Sequence, residues 1–201
     1  TEVSSEKLLI DANSRVENVV VSLVNVNNVP WPSTPPPSQQ TLQMVGCMYE
    51  PRIMAMQVNQ GLRIENADQT VHTPRIFDNN GNVFGPLGMP KNVPDQIWPG
   101  GNTTGAYAAK CDIHPWMKAK FFVFDHPYFA ITASDGTFQI PDVPHGTYQI
   151  AFSHEICVGL FCGDVLTGSD RDALWISGSP SVTVPQTTSL HEIAIERNRN
   201  K

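Results

Sequence analysis

Short apolar runs rich in Val, Ile, Thr, Phe and Tyr recur along the chain between clusters of Gly, Pro, Asn and Asp. None keeps a helical apolar period for more than about ten residues, so the pattern predicts strands and no long helix. Residues 17–26, "ENVVVSLVNV", are a β-branched run and read as one strand. "IMAMQV" (53–58) and "LRIEN" (62–66) flank Asn59-Gln60-Gly61 and read as strand, turn, strand within a β region over 42–77. "TTGAYAAKC" (103–111) and "KAKFFVFD" (118–125) read as a strand entering and a strand leaving a short loop. Between them and the earlier strands, residues 78–102 are rich in Gly, Pro and Asn and read as loop.

Two breaks divide this texture. "NNVPWPSTPPPSQQ" (27–40) carries prolines that fix φ and remove ladder donors, so it reads as an extended connector. After 128 the segment "YFAITASDGTFQIPDVPHGTYQIAFS" holds turn signals at Ser134-Asp135-Gly136 and Pro144-His145-Gly146, with three alternating strands around them. Further strands are expected at "SVTV" and "SLHEIAI", and "ERNRNK" reads as a frayed tail.

Composition narrows the function classes. Charged residues are 16% of the 201, the formal net charge is −6, and no Lys/Arg stripe is present, which argues against nucleic acid as a partner. No apolar run is long enough to span a bilayer as a helix. The first residue is Thr1 rather than Met, which fits removal of an export signal as well as trimming. The four cysteines, 47, 111, 157 and 162, include no CxxCH, so covalent haem of the c type is not encoded.

The chemistry concentrates in "CDIHPWM", where Cys111, His114 and Met117 recur every three residues between two strands. A tight loop there can turn a thiolate, an imidazole and a thioether toward one point. Two soft donors and one intermediate donor favour copper, and one more imidazole completes the His₂Cys set with a weak axial Met. Among the six histidines, His72 follows a strand and a polar turn and can reach the same end of a sandwich as this loop. His126 follows the exit strand and is expected toward the opposite end. Rival readings are weaker. A lone CxxH is more often coincidence than ligand; Met is a poor zinc ligand and no second cysteine is near. A Cys–His nucleophile pair lacks any oxyanion-hole glycine motif. A binuclear copper loop wants a second cysteine, and position 107, four residues earlier, is Tyr107.

"MYEPRIMAMQVNQGLRIENADQTVH" together with "CDIHPWM" resembles the cupredoxins, the second segment resembling the short ligand loop of their amicyanin-like members. The resemblance covers roughly residues 42–125. It implies a Greek-key β-sandwich and one type 1 copper ion held by His72, Cys111, His114 and Met117. Many cupredoxins carry Asn after the first histidine; here it is Thr73, which leaves the usual hydrogen bonding beside the thiolate without its side chain. His72 is expected buried and His114 at the surface, with Pro115, Trp116, Met89 and Pro90 as an apolar docking patch; for Trp116, core packing is the alternative.

"ITASDGTFQIPDVPHGTYQIAFSHE" resembles carboxypeptidase-regulatory-like, transthyretin-like modules through Asp135-Gly136, Phe138, Ile140, Pro144, Gly146 and Tyr148. Such modules open with a strand similar to "RVENVVVSLV", which predicts a sandwich completed from residues 1–26 with the other domain inserted. The expected fold class is all-β: a cupredoxin domain at 42–125, a connector at 27–41 and a smaller transthyretin-like sandwich at 126–201. His126, His154 and Glu155 are candidates for a second metal cluster, with ordinary hydrogen bonding as the alternative. Cys157 and Cys162 are candidates for a disulfide, suiting an exported protein, and Cys47 is left over as a small buried apolar residue, with an altered copper environment or an intermolecular bridge as the alternatives. No set of catalytic groups is evident. The expectation is a periplasmic or cell-surface one-electron carrier, a shuttle or a complex subunit, serving a redox protein such as a c-type cytochrome or an oxidoreductase. A non-redox copper-binding or assembly subunit is the alternative.

Overall fold

The computed structural model describes residues 9, 12, 15–24, 26, 31, 39–78, 80–81, 83–85, 88–91, 93–154 and 181–184. Thirteen strands are present among them: β1 Val20–Val24, β2 Gln40–Val45, β3 Met48–Glu50, β4 Ile53–Gln57, β5 Leu62–Asn66, β6 Pro74–Phe77 and β7 Val83–Phe84. These continue with β8 Gln96–Trp98, β9 Gly105–Cys111, β10 Lys118–Phe124, β11 Phe129–Ile131, β12 Gly146–Ser153 and β13 Ser181–Val184. The fold is all-β, and among the described residues no helix is long and apolar enough to cross a membrane. The chain forms two compact units, one of Trp31–Pro127 and one of Thr1–Pro30 with Tyr128–Lys201.

The Trp31–Pro127 unit has a five-stranded sheet, β4-β10-β9-β6-β7, and a four-stranded sheet, β3-β2-β5-β8. Strand alternation supplies the apolar faces. Leu42 and Met44 on β2, and Leu62 and Ile64 on β5, are buried, while Gln43 and Arg63 between them are exposed. They share one core cluster with Met54, Met56, Ile76, Ala109, Phe121 and Val123 of the other sheet and with Trp98 of β8. All five residues of β4 are buried, the apolar run Ile53–Met56 and the polar Gln57 after it, so the strand does not alternate.

The segments on either side of Asn59-Gln60-Gly61 form strands, but not with each other. β4 pairs in parallel with β10, whereas β5 pairs in parallel with β2 and antiparallel with β8. The turn therefore carries the chain from one sheet to the other. Asn59 takes a positive φ of 59°, its N–H donates to Gly101 O, and Gln60 Oε1 accepts from Gln57 N. Loop 78–102 contains the short strands β7 and β8. The proline-rich segment ends earlier than the sequence suggests, because Gln40 and Thr41 already pair with Leu62 and Arg63.

In the other unit the sheet order is β11-β1-β12-β13. β1 is central: Val21 lies opposite Ala130 on β11 and opposite Phe152 on β12. Val20, Val21, Ser22 and Leu23 are all buried, as befits a strand paired on both edges. Tyr148, Ile150 and Phe152 on β12 are buried in alternation with less buried neighbours. Residues 137–140, expected as the middle of three strands, form no ladder. Gly136 and Asp142 both take positive φ, and Pro141 follows directly, so the extended pairing geometry is interrupted on both sides. Phe138 and Ile140 are nonetheless buried. "SVTV" is strand β13; "SLHEIAI", Glu155, Cys157 and Cys162 lie outside the described residues.

Candidate metal centre

Cys111 is the last residue of β9, and His114 and Met117 lie in the loop to β10. The loop is closed at its base, where Cys111 N–H donates to Met117 O at 3.3 Å, and within, where Met117 N–H donates to His114 O at 2.9 Å. The next strand in the sheet, β6, places Pro74 opposite Cys111, so His72 and Thr73 arrive beside the cysteine just before β6 begins. His72 is pinned by two backbone hydrogen bonds with Met89. Asn66, ending β5, braces the same turn: its side-chain N–H₂ donates to Thr70 O and Met89 O, and its oxygen accepts from Asp68 N–H.

These constraints bring three of the four expected ligands together. His72 Nδ1 lies 3.0 Å from His114 Nδ1, and Cys111 Sγ lies 3.7 Å from His114 Nδ1. At ordinary metal distances, about 2.0 Å for nitrogen and about 2.3 Å for thiolate, those spans correspond to ligand angles of about 100° and about 120°. Both spans suit an ion shared with His114, and the three donor atoms lie within 4.8 Å of one another, so the residues fit one metal ion. His72 and Cys111 are buried and His114 is half-buried. Met117 is fully buried in the same apolar cluster as Cys111.

Surrounding groups prepare the donors. Thr73 N–H points to Cys111 Sγ at 3.4 Å, so the backbone of residue 73 supplies a hydrogen bond toward the sulfur whatever its side chain. His72 Nε2 lies 2.8 Å from Asp68 Oδ2. An ionised carboxylate only accepts, so Nε2 carries the proton and Nδ1 presents its lone pair toward His114. Burial alone pushes the Asp68 carboxyl up, but the N–H groups of Cys47 and Gly46 and the His72 ring outweigh it and hold it below the usual range. Asp68 thus keeps its charge at neutral pH and orients a buried imidazole, as carboxylate partners of metal-ligating histidines do.

The sequence reading missed Asp68. The available signal was a carboxylate four residues before His72 in a polar turn. Cys47, expected to be buried, is only partly so and sits with Gly46 in the two-residue turn joining β2 and β3. Both have positive φ, 60° and 57°, as a type I′ hairpin requires. Burial, then the charges of Asp68 and Cys111, push its thiol pKa up. Its carbonyl accepts from Trp116 Nε1 at 3.1 Å. Trp116 is 50% exposed and does not pack in the core; its ring lies 5.1 Å from that of His114. Ile113 and Val71 are also exposed nearby in sequence, whereas Met89 is fully buried and so is no part of a surface patch. Its burial follows from its bridge to His72.

His126 is buried in the same unit, with Trp31 and Phe124 rings 6.1 and 5.6 Å away, and His154 is buried in the other unit. Among the described residues, the groups of side chains placed to hold a metal are His72–Cys111–His114 and Cys47–Asp68–His72.

No protein-family model and no curated protein matches the chain. Among solved structures, amicyanin from Paracoccus versutus (Thiobacillus versutus) aligns over 52% of this chain and 97% of its own, at 16% identity and a TM-score of 0.38. A purple cupredoxin from Nitrosopumilus maritimus aligns over 43% of this chain and all of its own, at 20% identity and TM-score 0.35. A copper-containing nitrite reductase from Thermus scotoductus shares 23% identity over 44% of this chain and only 23% of its own, at TM-score 0.35.

Proposed function

We propose that the Trp31–Pro127 unit is a type 1 copper module of the cupredoxin kind that carries single electrons between proteins, with His72, Cys111, His114 and Met117 as its ligands. The observation that carries this reading is the convergence of one ligand atom each from His72, Cys111 and His114 within 4.8 Å of one another, with Cys111 and His114 on a closed inter-strand loop. The donor chemistry supports copper over zinc, because a thiolate and a thioether suit both copper oxidation states. Copper bound there would supply a one-electron couple. The chain's own part is to keep the donors still. Asp68 fixes the His72 tautomer, Thr73 N–H aims at the Cys111 sulfur, and the loop hydrogen bonds hold His114. A site whose donors already face one another has little to reorganise when an electron arrives.

Half-buried His114, flanked by exposed Pro115 and Trp116, is the route we assign to the electron and the face we assign to the partner. The partner would be another redox protein, such as a c-type cytochrome or an oxidoreductase complex, in a periplasmic or cell-surface setting. The unit built from β1, β11, β12 and β13 we read as a transthyretin-like scaffold for that assembly, on the Asp135–Tyr148 pattern; no catalytic role is assigned to either unit. Absorption spectroscopy of the copper-loaded chain tests the ligand set. An intense thiolate-to-copper band in the visible is expected, and Cys111→Ser should abolish it. A band that survives this substitution would place the thiolate elsewhere.

A further inference from the structure

The second group of ligand atoms belongs to a different face of the same histidine. Cys47, Asp68 and His72 each offer one donor, and the three lie within 4.8 Å of one another. Asp68 Oδ2 is 2.8 Å from His72 Nε2, the ring nitrogen that points away from His114. We propose that Cys47, Asp68 and His72 form a second metal subsite, suited to a divalent borderline ion such as zinc, which uses Nε2 of His72 while the first site uses Nδ1.

Thiolate, carboxylate and imidazole are the donors zinc takes in proteins, and three protein ligands leave a fourth position for water. Cys47 and Asp68 are both partly exposed, so water can reach their side of the cluster. The charges match: one thiolate and one carboxylate neutralise a dication with His72 neutral. Cys47 also occupies a position where its backbone gains nothing. At φ 57° in the second place of a two-residue hairpin turn, glycine is the favoured residue, and a side chain there costs about 1 kcal/mol. What cysteine brings to that place is a thiol within 4.8 Å of a buried imidazole.

The proton balance follows from the ring. In the metal-free chain Nε2 of His72 holds the proton and donates to Asp68. With zinc on Nε2 the proton of His72 moves to Nδ1 and donates to His114 Nδ1, whose own proton moves to its Nε2. One proton, from Cys47, leaves for solvent. A neutral His72 therefore serves one site at a time, so ions at the two sites weaken each other's binding whatever ion the first site holds.

Cobalt(II), which reports thiolate ligands by an intense near-ultraviolet charge-transfer band, is the probe. With Cys111→Ser in the full chain, so that the first site has no thiolate, cobalt titration should give a saturating band that zinc displaces. Adding Cys47→Gly should remove the band and weaken zinc binding by more than roughly 100-fold, beyond the loss of an outer partner. Glycine suits the turn, so this variant folds, as its circular dichroism should verify. No band in Cys111→Ser, or one that persists after Cys47→Gly, overturns the proposal. So does a zinc affinity that Cys47→Gly leaves unchanged.

Discussion

Replacing Asp68 by Ala removes the acceptor for three N–H groups at once. Gly46 N–H at 2.7 Å is exposed, and water can take over that bond. Cys47 N–H and His72 Nε2–H, both at 2.8 Å, are shielded, and His72 is fully buried. A hydrogen bond to a charged acceptor contributes about 1.5–3 kcal/mol net, and an orphaned buried donor costs about 1–3 kcal/mol. Two shielded donors, less the desolvation that Asp68 no longer suffers, lead to an expected loss of about 2–4 kcal/mol. Urea denaturation of wild type and Asp68→Ala measures it. The same variant frees the His72 tautomer and should lower metal affinity by about 10–100-fold. Nitrogen-15 shifts of the imidazole should report Nε2–H in the wild type and a tautomer mixture in the variant. A change in unfolding free energy below about 0.5 kcal/mol, with the Nε2–H tautomer retained, would refute the role given to Asp68.

Four further outcomes are expected. Asp68 is depressed in the folded state, so its stabilisation is complete above the unfolded aspartate pKa of about 3.9 and is lost as pH falls through the lower folded value. The urea midpoint should therefore drop over that acid window in wild type more than in Asp68→Ala; parallel curves would contradict this. Tyr49 Oη is buried with no hydrogen-bond partner among the described residues, so Tyr49→Phe should be neutral or stabilising by up to about 1 kcal/mol in the same assay. Phe121 is fully buried in the core cluster, and Phe121→Ala should cost about 3–5 kcal/mol. In the other unit, buried Thr132 Oγ1 accepts from Val19 N–H and donates to Val16 O, so Thr132→Val should cost about 1–3 kcal/mol and speed amide exchange at Val19.

The strands were legible because β-branched and aromatic runs end at Gly, Pro and Asn. Their partners were not. Nothing local in "IMAMQV" says that it pairs in parallel with "KFFVF" more than sixty residues away, since pairing is decided by which apolar faces close one core. For 137–140 the alternating pattern predicted a strand; Phe138 and Ile140 are buried, but without a ladder. Cys111 and His114 stood out because their residue types are rare and close in sequence. Asp68 and Cys47 did not, because a carboxylate and a thiol in polar turns are common, and only the β2–β3 hairpin folded against the His72 turn gives them meaning.

On the function proposed above, His72, Cys111, His114 and Met117 hold one copper that changes oxidation state in place. Electron paramagnetic resonance on the copper-loaded chain, cycled between a mild reductant and a mild oxidant, tests it most directly. One copper spin per chain is expected, with the small parallel hyperfine splitting of a thiolate-bound site. That signal should vanish on reduction and return unchanged over repeated cycles. Copper that is released on reduction, or a signal with the wide splitting of ordinary square-planar copper, would contradict it.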